Sequence, residues 1–350
     1  MKVDVGLEGL RERIHAYCRE NAIFGVLRVT VWDETVLRMQ MGYADREAET
    51  PFFDGSMFTL YSLSKPFCVL GFLKLCERGL LELDGHPARF VPEAAGLDAR
   101  VTFRHMLHHV SGLPDFEQNG EFARAHAPGY ARYTREHLEK LARLPSYFAP
   151  GEGAMYANVN MVIPALAIEN VTGMPYAEYM KKEVFGPLGM QTAVVDHEDL
   201  VIPYRVQGYA LGEDGVPRPV KKSHDWLLGA GDIVGTVDDV YALHRAVGEG
   251  LLLSSETWRQ VLTPHPKSGM GMGCTVSTWH GKRRITHNGG HTGFRTLHVH
   301  LPEEDFDLIF LSNSGYGDAR NALSEMIHAA FFGEDQPKSG DLVAMDQGYI

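Results

Sequence analysis

The sequence predicts an α+β fold in which one antiparallel sheet, flanked by helices, is assembled from both ends of the chain around an inserted α-rich domain. Three observations carry this reading. A helix–strand–strand pattern opens the chain, three or four strand-like runs and a helix close it, and residues 85–264 between them are mostly helical segments and Pro/Gly-rich turns. The predicted organisation is therefore discontinuous. Residues 1–84 and 265–335 form an α/β domain, 85–264 form the α-rich domain, and 336–350 form a polar C-terminal tail.

In chain order, Leu7, Leu10, Ile14, Tyr17 and Cys18 fall at the spacing of an amphipathic helix over residues 6–20. Ile23 to Trp32 is rich in β-branched residues. After the Asp33-Glu34 turn, Leu37, Met39, Met41 and Tyr43 alternate with Arg38, Gln40 and Gly42, which predicts a hairpin with one buried face. A loop at Phe58 then runs into a strongly apolar helix that continues to Gly79, a residue suited to the C′ position. Because it is apolar on most sides, this helix is expected at the centre of the molecule. Helices are predicted over 102–109, 134–143, 158–172, 175–184, 236–248 and 255–262. Strand character returns at Gly271 to Trp279, Arg284 to His287, Phe294 to Leu301 and Phe306 to Asn313, followed by an amphipathic helix over 318–332. No internal repeat or low-complexity segment interrupts the series.

Composition narrows the function class. The 350 residues, 44% hydrophobic and 22% charged, suit a soluble globular enzyme with ample core. A net charge of −12, with no Lys/Arg run, argues against a nucleic-acid surface. No apolar stretch approaches a membrane span. Met1 to Gly6 lacks the apolar run of a secretory signal, so a cytoplasmic protein is expected, the alternative being an exported one whose signal has been removed. The cysteines Cys18, Cys68, Cys76 and Cys274 show no Cys-x-x-Cys spacing, and three of them lie in apolar helical patterns. They read as reduced core thiols.

Three stretches carry chemistry. In Ser62-Leu63-Ser64-Lys65 a hydroxyl and an ammonium three residues apart meet on one face at the start of the central helix. There the free N–H groups and the helix dipole favour a developing alkoxide and an oxyanion, and a serine needs such activation to act as a nucleophile. The plainer alternative is a serine that caps a core helix. In Tyr156-Ala157-Asn158 a phenol and an amide two residues apart share a direction on a loop, so a phenolate stabilised by an ammonium could take the Ser62 proton and the amide could bind a carbonyl. A tyrosine at a helix-capping turn is the alternative. In Arg284 to Phe294 a strand runs into Gly289-Gly290, where the backbone admits a ligand and an exposed N–H could supply half of an oxyanion hole. A simple Gly-rich hairpin is the alternative.

With Ser-x-x-Lys, Tyr-x-Asn and His287-Asn288-Gly289 in order, the chain resembles the class C β-lactamase and penicillin-binding-protein superfamily of active-site serine hydrolases, in particular its β-lactamase-related esterases and D-aminopeptidases. Met106 to Asp115 looks like that family's "LL-H-SGLP" segment. Thr172 to Tyr176, Pro187 to Met190 and Gly229 to Asp232 are similar to other landmarks, and the resemblance runs from about residue 20 to 332. It implies a β-lactamase/transpeptidase-like fold with the site in the cleft between the domains, and acyl transfer through an acyl-enzyme. It implies Ser62 as nucleophile, Lys65 and Tyr156 sharing the proton handling, Asn158 against the substrate amide or ester, and the N–H groups of Ser62 and Gly290 as the oxyanion hole.

His287-Asn288-Gly289 departs from the Lys-Thr-Gly more common in β-lactamases. Imidazole is mostly neutral at pH 7, so carboxylate recognition is weakened unless Arg295 restores it. The expectation is hydrolysis of small esters or of D-amino-acid amides and peptides, with weak or no β-lactam turnover. A class C-like β-lactamase or DD-carboxypeptidase is one alternative, and a receptor acylated without turnover is another. No cofactor is expected. His105, His108 and His109 have ligand-like spacing but no acidic partner, and no metal is assigned to them.

Overall fold

Strands from both ends of the chain lie side by side. The computed structural model describes residues 6–115, 135–197, 200–220 and 227–333. The main sheet has six antiparallel strands: β1 (Gly25–Val31), β2 (Glu34–Met41), β3 (Thr275–Trp279), β4 (Lys282–His291), β5 (Phe294–Leu301) and β6 (Phe306–Ser312). Their spatial order is β3-β4-β5-β6-β1-β2. The join between the two ends is the β1–β6 pair, in register from Gly25 opposite Ser312 to Val31 opposite Phe306.

Every residue of β1 is buried because both faces of the sheet are covered. Leu27 and Val29 pack with Leu10 and Ile14 of helix α1 (Leu7–Glu20) and with Ile327 of the C-terminal helix, Arg320–Phe332. Val26, Ile309 and Leu311 instead join the core shared with the helical block. That block is built on α2 (Lys65–Glu77), which packs against the helix Val159–Thr172. Between α2 and that second helix come α3 (Phe103–Leu107) and α4 (Arg135–Ala142), so Val159–Thr172 is α5. It is followed by α6 (Tyr176–Met180), α7 (Val237–Gly248), α8 (Ser255–Val261) and α9 (Arg320–Phe332). All positions of α2 from Lys65 to Leu73 are buried, as expected for a helix that is apolar all round. No described helix is long and apolar enough to cross a membrane.

Three details differ from the sequence reading. Residues Tyr61–Ser64 form a 3₁₀ turn, and the α-helix begins at Lys65. The block predicted as α-rich also holds β-structure. Val194–Val195 and Ile233–Gly235 pair in a small sheet with Phe58–Thr59, and Tyr209–Leu211 pairs with Pro217–Pro219. Segments of two or three residues are too short to show a period in the sequence. The strand expected from Gly271 starts at Thr275, after a turn in which Gly273 has φ +67°. The predicted tail, residues 336–350, lies outside the described residues.

Candidate active site

The serine turn is anchored from three sides. Ahead of it, the Leu60 N–H donates to the Ile233 carbonyl at 2.9 Å and the Leu60 carbonyl accepts from Thr296 Oγ1 at 2.9 Å. Tyr61 sits at φ +49°, a left-handed conformation that costs a non-glycine residue roughly 1–2 kcal/mol. It is held there by its hydroxyl, which donates to the Thr292 carbonyl at 3.0 Å, and by packing on Phe294. On the third side, Ser64 Oγ accepts from the Ile233 N–H at 3.0 Å. The two serines of the motif are thereby separated: Ser64 ties α2 to Ile233–Gly235, and Ser62 faces Lys65.

Lys65 is completely buried, yet its ammonium meets three acceptors: Ser62 Oγ at 2.8 Å, Asn158 Oδ1 at 2.8 Å and the Ala230 carbonyl at 2.7 Å. These match the three donors of an ammonium, the condition for burying one without a prohibitive penalty. A 3₁₀ turn eclipses residues three apart, so it serves the Ser62–Lys65 pairing at least as well as the α-turn expected. The ammonium also lies 4.8 Å from the centre of the Tyr156 ring. Ser62, Lys65, Tyr156 and Asn158 are therefore brought together, as the resemblance implied.

Tyr156 and Asn158 are placed by residues whose part was not read from the sequence. The His109 carbonyl accepts from the Met155 N–H at 3.0 Å, and His109 Nδ1 accepts from the Ala157 N–H at 3.2 Å. The imidazole stacks on the Tyr156 ring, 4.4 Å between centres. Burial, reinforced by Lys65, holds the His109 pKa well below the usual histidine value, so the ring is neutral and acts as an acceptor. Asp115 caps the next helix, its carboxylate accepting from the N–H groups of Asn158 at 2.9 Å and Val159 at 3.3 Å. His109 and Asp115 both fall in the segment Met106 to Asp115 flagged by its resemblance, so the signal was present without the role.

Behind Lys65 lies Asp232, whose carboxyl burial pushes up to about 7 despite a 2.9 Å hydrogen bond from the Gly229 N–H. The loop carrying Asp232 also presents the Ala230 carbonyl to Lys65.

On the far wall, β4 packs against the serine turn. A side chain at Gly289 would collide with the Leu60 carbonyl and with Thr296 Oγ1, so only glycine lets strand and turn approach. Gly290 follows it on the same strand, against the Arg295 side chain. His287 is almost fully buried, and burial first, then Lys65, brings its pKa down to about 3. Its Nδ1 lies 2.6 Å from the Asn288 carbonyl. The imidazole is thus neutral throughout the physiological range. The Arg295 side chain lies against Gly290, and its Nη1 donates to the carbonyls of His291 and Phe294, both at 2.8 Å, within its own hairpin. His105, His108 and His109 have separate partners, the first in the α3 capping box and the second against the Met270 carbonyl.

The beta-lactamase family matches the chain over residues 10–330. The chain belongs to the beta-lactamase family. Among similar proteins, penicillin-binding protein 4* of Bacillus subtilis (strain 168) is 31% identical over 78% of this chain and 64% of its own length. Esterase EstB of Burkholderia gladioli is 32% identical over 58% of this chain and 54% of its own. The chain thus spans a little over half to about two-thirds of the length of these two relatives. Among solved structures, the octameric penicillin-binding protein homologue from Pyrococcus abyssi superposes with a TM-score of 0.79 at 24% identity, covering 95% of this chain and 78% of that one. That likeness establishes the β-lactamase/transpeptidase-like fold. Within the family's frame, the neutral His287 stands on the strand that borders the serine turn.

Proposed function

We propose that the protein is a serine hydrolase that works through an acyl-enzyme on small uncharged esters or on amides of the D-amino-acid type, with little β-lactam turnover. Ser62 Oγ attacks the carbonyl carbon while its proton passes to the Lys65–Tyr156 pair, and the carbonyl π electrons move onto oxygen. The oxyanion is held by the N–H groups of Ser62 and Gly290, and Asn158 positions the acyl side. Collapse breaks the bond to the alkoxy or amino leaving group, which takes the proton from the pair. Water then repeats the sequence on the acyl-Ser62 ester.

The observation that carries the substrate choice is the buried, neutral imidazole of His287. Moving a β-lactam carboxylate into the cleft strips its hydration, a cost of several kcal/mol that hydrogen bonds from neutral groups offset only in part. An ester carries no such charge. The esterase named among the relatives supports this reading. The test compares kcat/KM for p-nitrophenyl acetate and butyrate, D- and L-aminoacyl anilides and nitrocefin, in the wild type and in His287→Lys. The wild type should prefer the esters or D-aminoacyl anilides, and His287→Lys should gain on nitrocefin relative to them. A wild type that prefers nitrocefin outright would sink the proposal in favour of a class C-like β-lactamase. A single stoichiometric burst with no turnover on any substrate would sink it in favour of an acylated receptor.

A further inference from the structure

A second polar cluster, which the proposed reaction does not use, lies where α7 crosses the sheet. His298 and His300, two apart on β5, point to the same face, and His300 is paired in register with Asp307 on β6. His244 of α7 comes down onto them. All four side chains are almost entirely buried. His244 Nδ1 lies 2.9 Å from His300 Nδ1 and 3.3 Å from Asp307 Oδ2, and His300 Nδ1 lies 3.9 Å from the same oxygen.

Hydrogen bonding accounts poorly for this arrangement. Two unsubstituted Nδ1 atoms face each other and the same carboxylate oxygen, and His300 Nδ1 also lies 3.4 Å from the Phe306 carbonyl, so a proton on either nitrogen leaves some of these contacts without a donor. Meanwhile Asp307 Oδ1 and His300 Nε2 are buried with no hydrogen-bond partner among the described residues. Buried polar groups are seldom left in that state. A metal ion resolves the triangle. Donors bound at about 2.0–2.1 Å in a tetrahedral zinc site lie about 3.3 Å apart, within the spread of the three observed edges.

The surroundings also suit an ion. His244 turns its other nitrogen, Nε2, to Asp305 Oδ1 at 3.3 Å, and His298 Nε2 lies 2.7 Å from Asp307 Oδ2. Such contacts orient the ligands of protein metal sites from behind. Asp305 and Asp307 together balance a divalent charge.

We propose that His244, His300 and Asp307 form a binding site for a divalent transition ion of the zinc type, with a water molecule completing a tetrahedron. Two imidazoles and one carboxylate favour zinc, cobalt, nickel or copper over magnesium or calcium, which prefer all-oxygen shells. The ion would clamp α7 to β5 and β6. Since His298 is the register partner of His287, the clamp lies beside His287 on the same face of the sheet, one strand over. The inference stands independently of the substrate reading above.

The test uses the full chain without an oligohistidine tag, stripped with a chelator and titrated with Zn²⁺ by calorimetry and with Co²⁺ by visible absorption. One ion per chain should bind with a dissociation constant below about 1 µM. The cobalt form should show the intense bands of a tetrahedral site without a thiolate charge-transfer band, which separates this site from the cysteines. Zn²⁺ should raise Tm by several degrees. His244→Gln and His300→Gln, each checked for native circular dichroism, should weaken binding at least tenfold and abolish the Tm rise. The proposal is overturned if the folded wild type binds only weakly or at many sites, or if both folded variants bind as tightly as the wild type. Should a variant fail to fold, the wild-type stoichiometry and cobalt spectrum decide the matter alone.

Discussion

Replacing His287 by Gln should make the protein less sensitive to acid. The folded state holds this imidazole at a pKa of about 3, against 6.5 for an exposed histidine, because burial and Lys65 disfavour its charged form. Between those two values the unfolded chain binds a proton that the folded chain refuses. Stability contributed by the neutral ring is therefore complete above pH 6.5 and is lost as the pH falls toward 3. At 1.36 kcal/mol per pH unit, the loss at pH 4.5 is roughly 2.7 kcal/mol, and it approaches roughly 5 kcal/mol near pH 3. Other buried groups with shifted pKa values, Asp232 and His109 among them, also make stability depend on pH, so the informative quantity is the difference between the two proteins. Urea denaturation of wild type and His287→Gln at pH 7.5 and pH 4.5 measures it. The variant should pay some stability at pH 7.5 for imperfect packing, yet lose about 2–3 kcal/mol less than the wild type on going to pH 4.5. Equal acid losses in both proteins would refute the reasoning, because the imidazole would then take up its proton in the folded state as readily as in the unfolded chain.

Other outcomes follow from the same site. A serine-directed phosphonate should label Ser62 and not Ser64, whose hydroxyl is engaged with the Ile233 N–H; peptide mapping of the adduct, with Ser62→Ala as control, decides between them. Lys65→Ala and Tyr156→Phe should each lower kcat by about 10²–10⁴-fold with the fold retained, and the double variant should lose far less than the product of the two. Asp115→Ala removes a charged acceptor from two N–H groups at the start of α5 and should cost about 2–4 kcal/mol in denaturant unfolding. Its kcat should fall as well, since Asn158 is held by one of those bonds, and an unchanged kcat would show that Lys65 alone positions the amide.

Much of this molecule is legible in its sequence. Helix–strand–strand at one end and strands–helix at the other is a pattern of periods, and period survives in sequence. The two candidate pairs were legible because Ser62–Lys65 and Tyr156–Asn158 are local, with geometry set by one turn or one loop, and the family resemblance implied that they share a site. What stayed hidden depends on contacts between distant segments. The Ala230 carbonyl is a backbone atom that carries no signal of its own type, yet it completes the shell of Lys65. The positioning roles of His109 and Asp115 appear only when the segment they sit on meets residues 155–159. The His244, His300 and Asp307 cluster joins a helix to two strands, whereas the histidines that drew attention by spacing, His105 to His109, turned out to have separate tasks.

The pairing of β1 with β6 has a consequence for biosynthesis. Gly25 finds its partner in Ser312, so β1 leaves the ribosome long before the strand that will cover its edge exists. At about 5–20 residues per second the wait is roughly 15–60 s, during which the first hairpin offers an unpaired apolar edge. Non-local pairing of this kind is also slow to form once the chain is complete. Ser62 and Lys65 emerge early, but Gly289 and Gly290 follow more than two hundred residues later. A nascent chain therefore carries the serine turn without the strand that packs against it until β4 has been made.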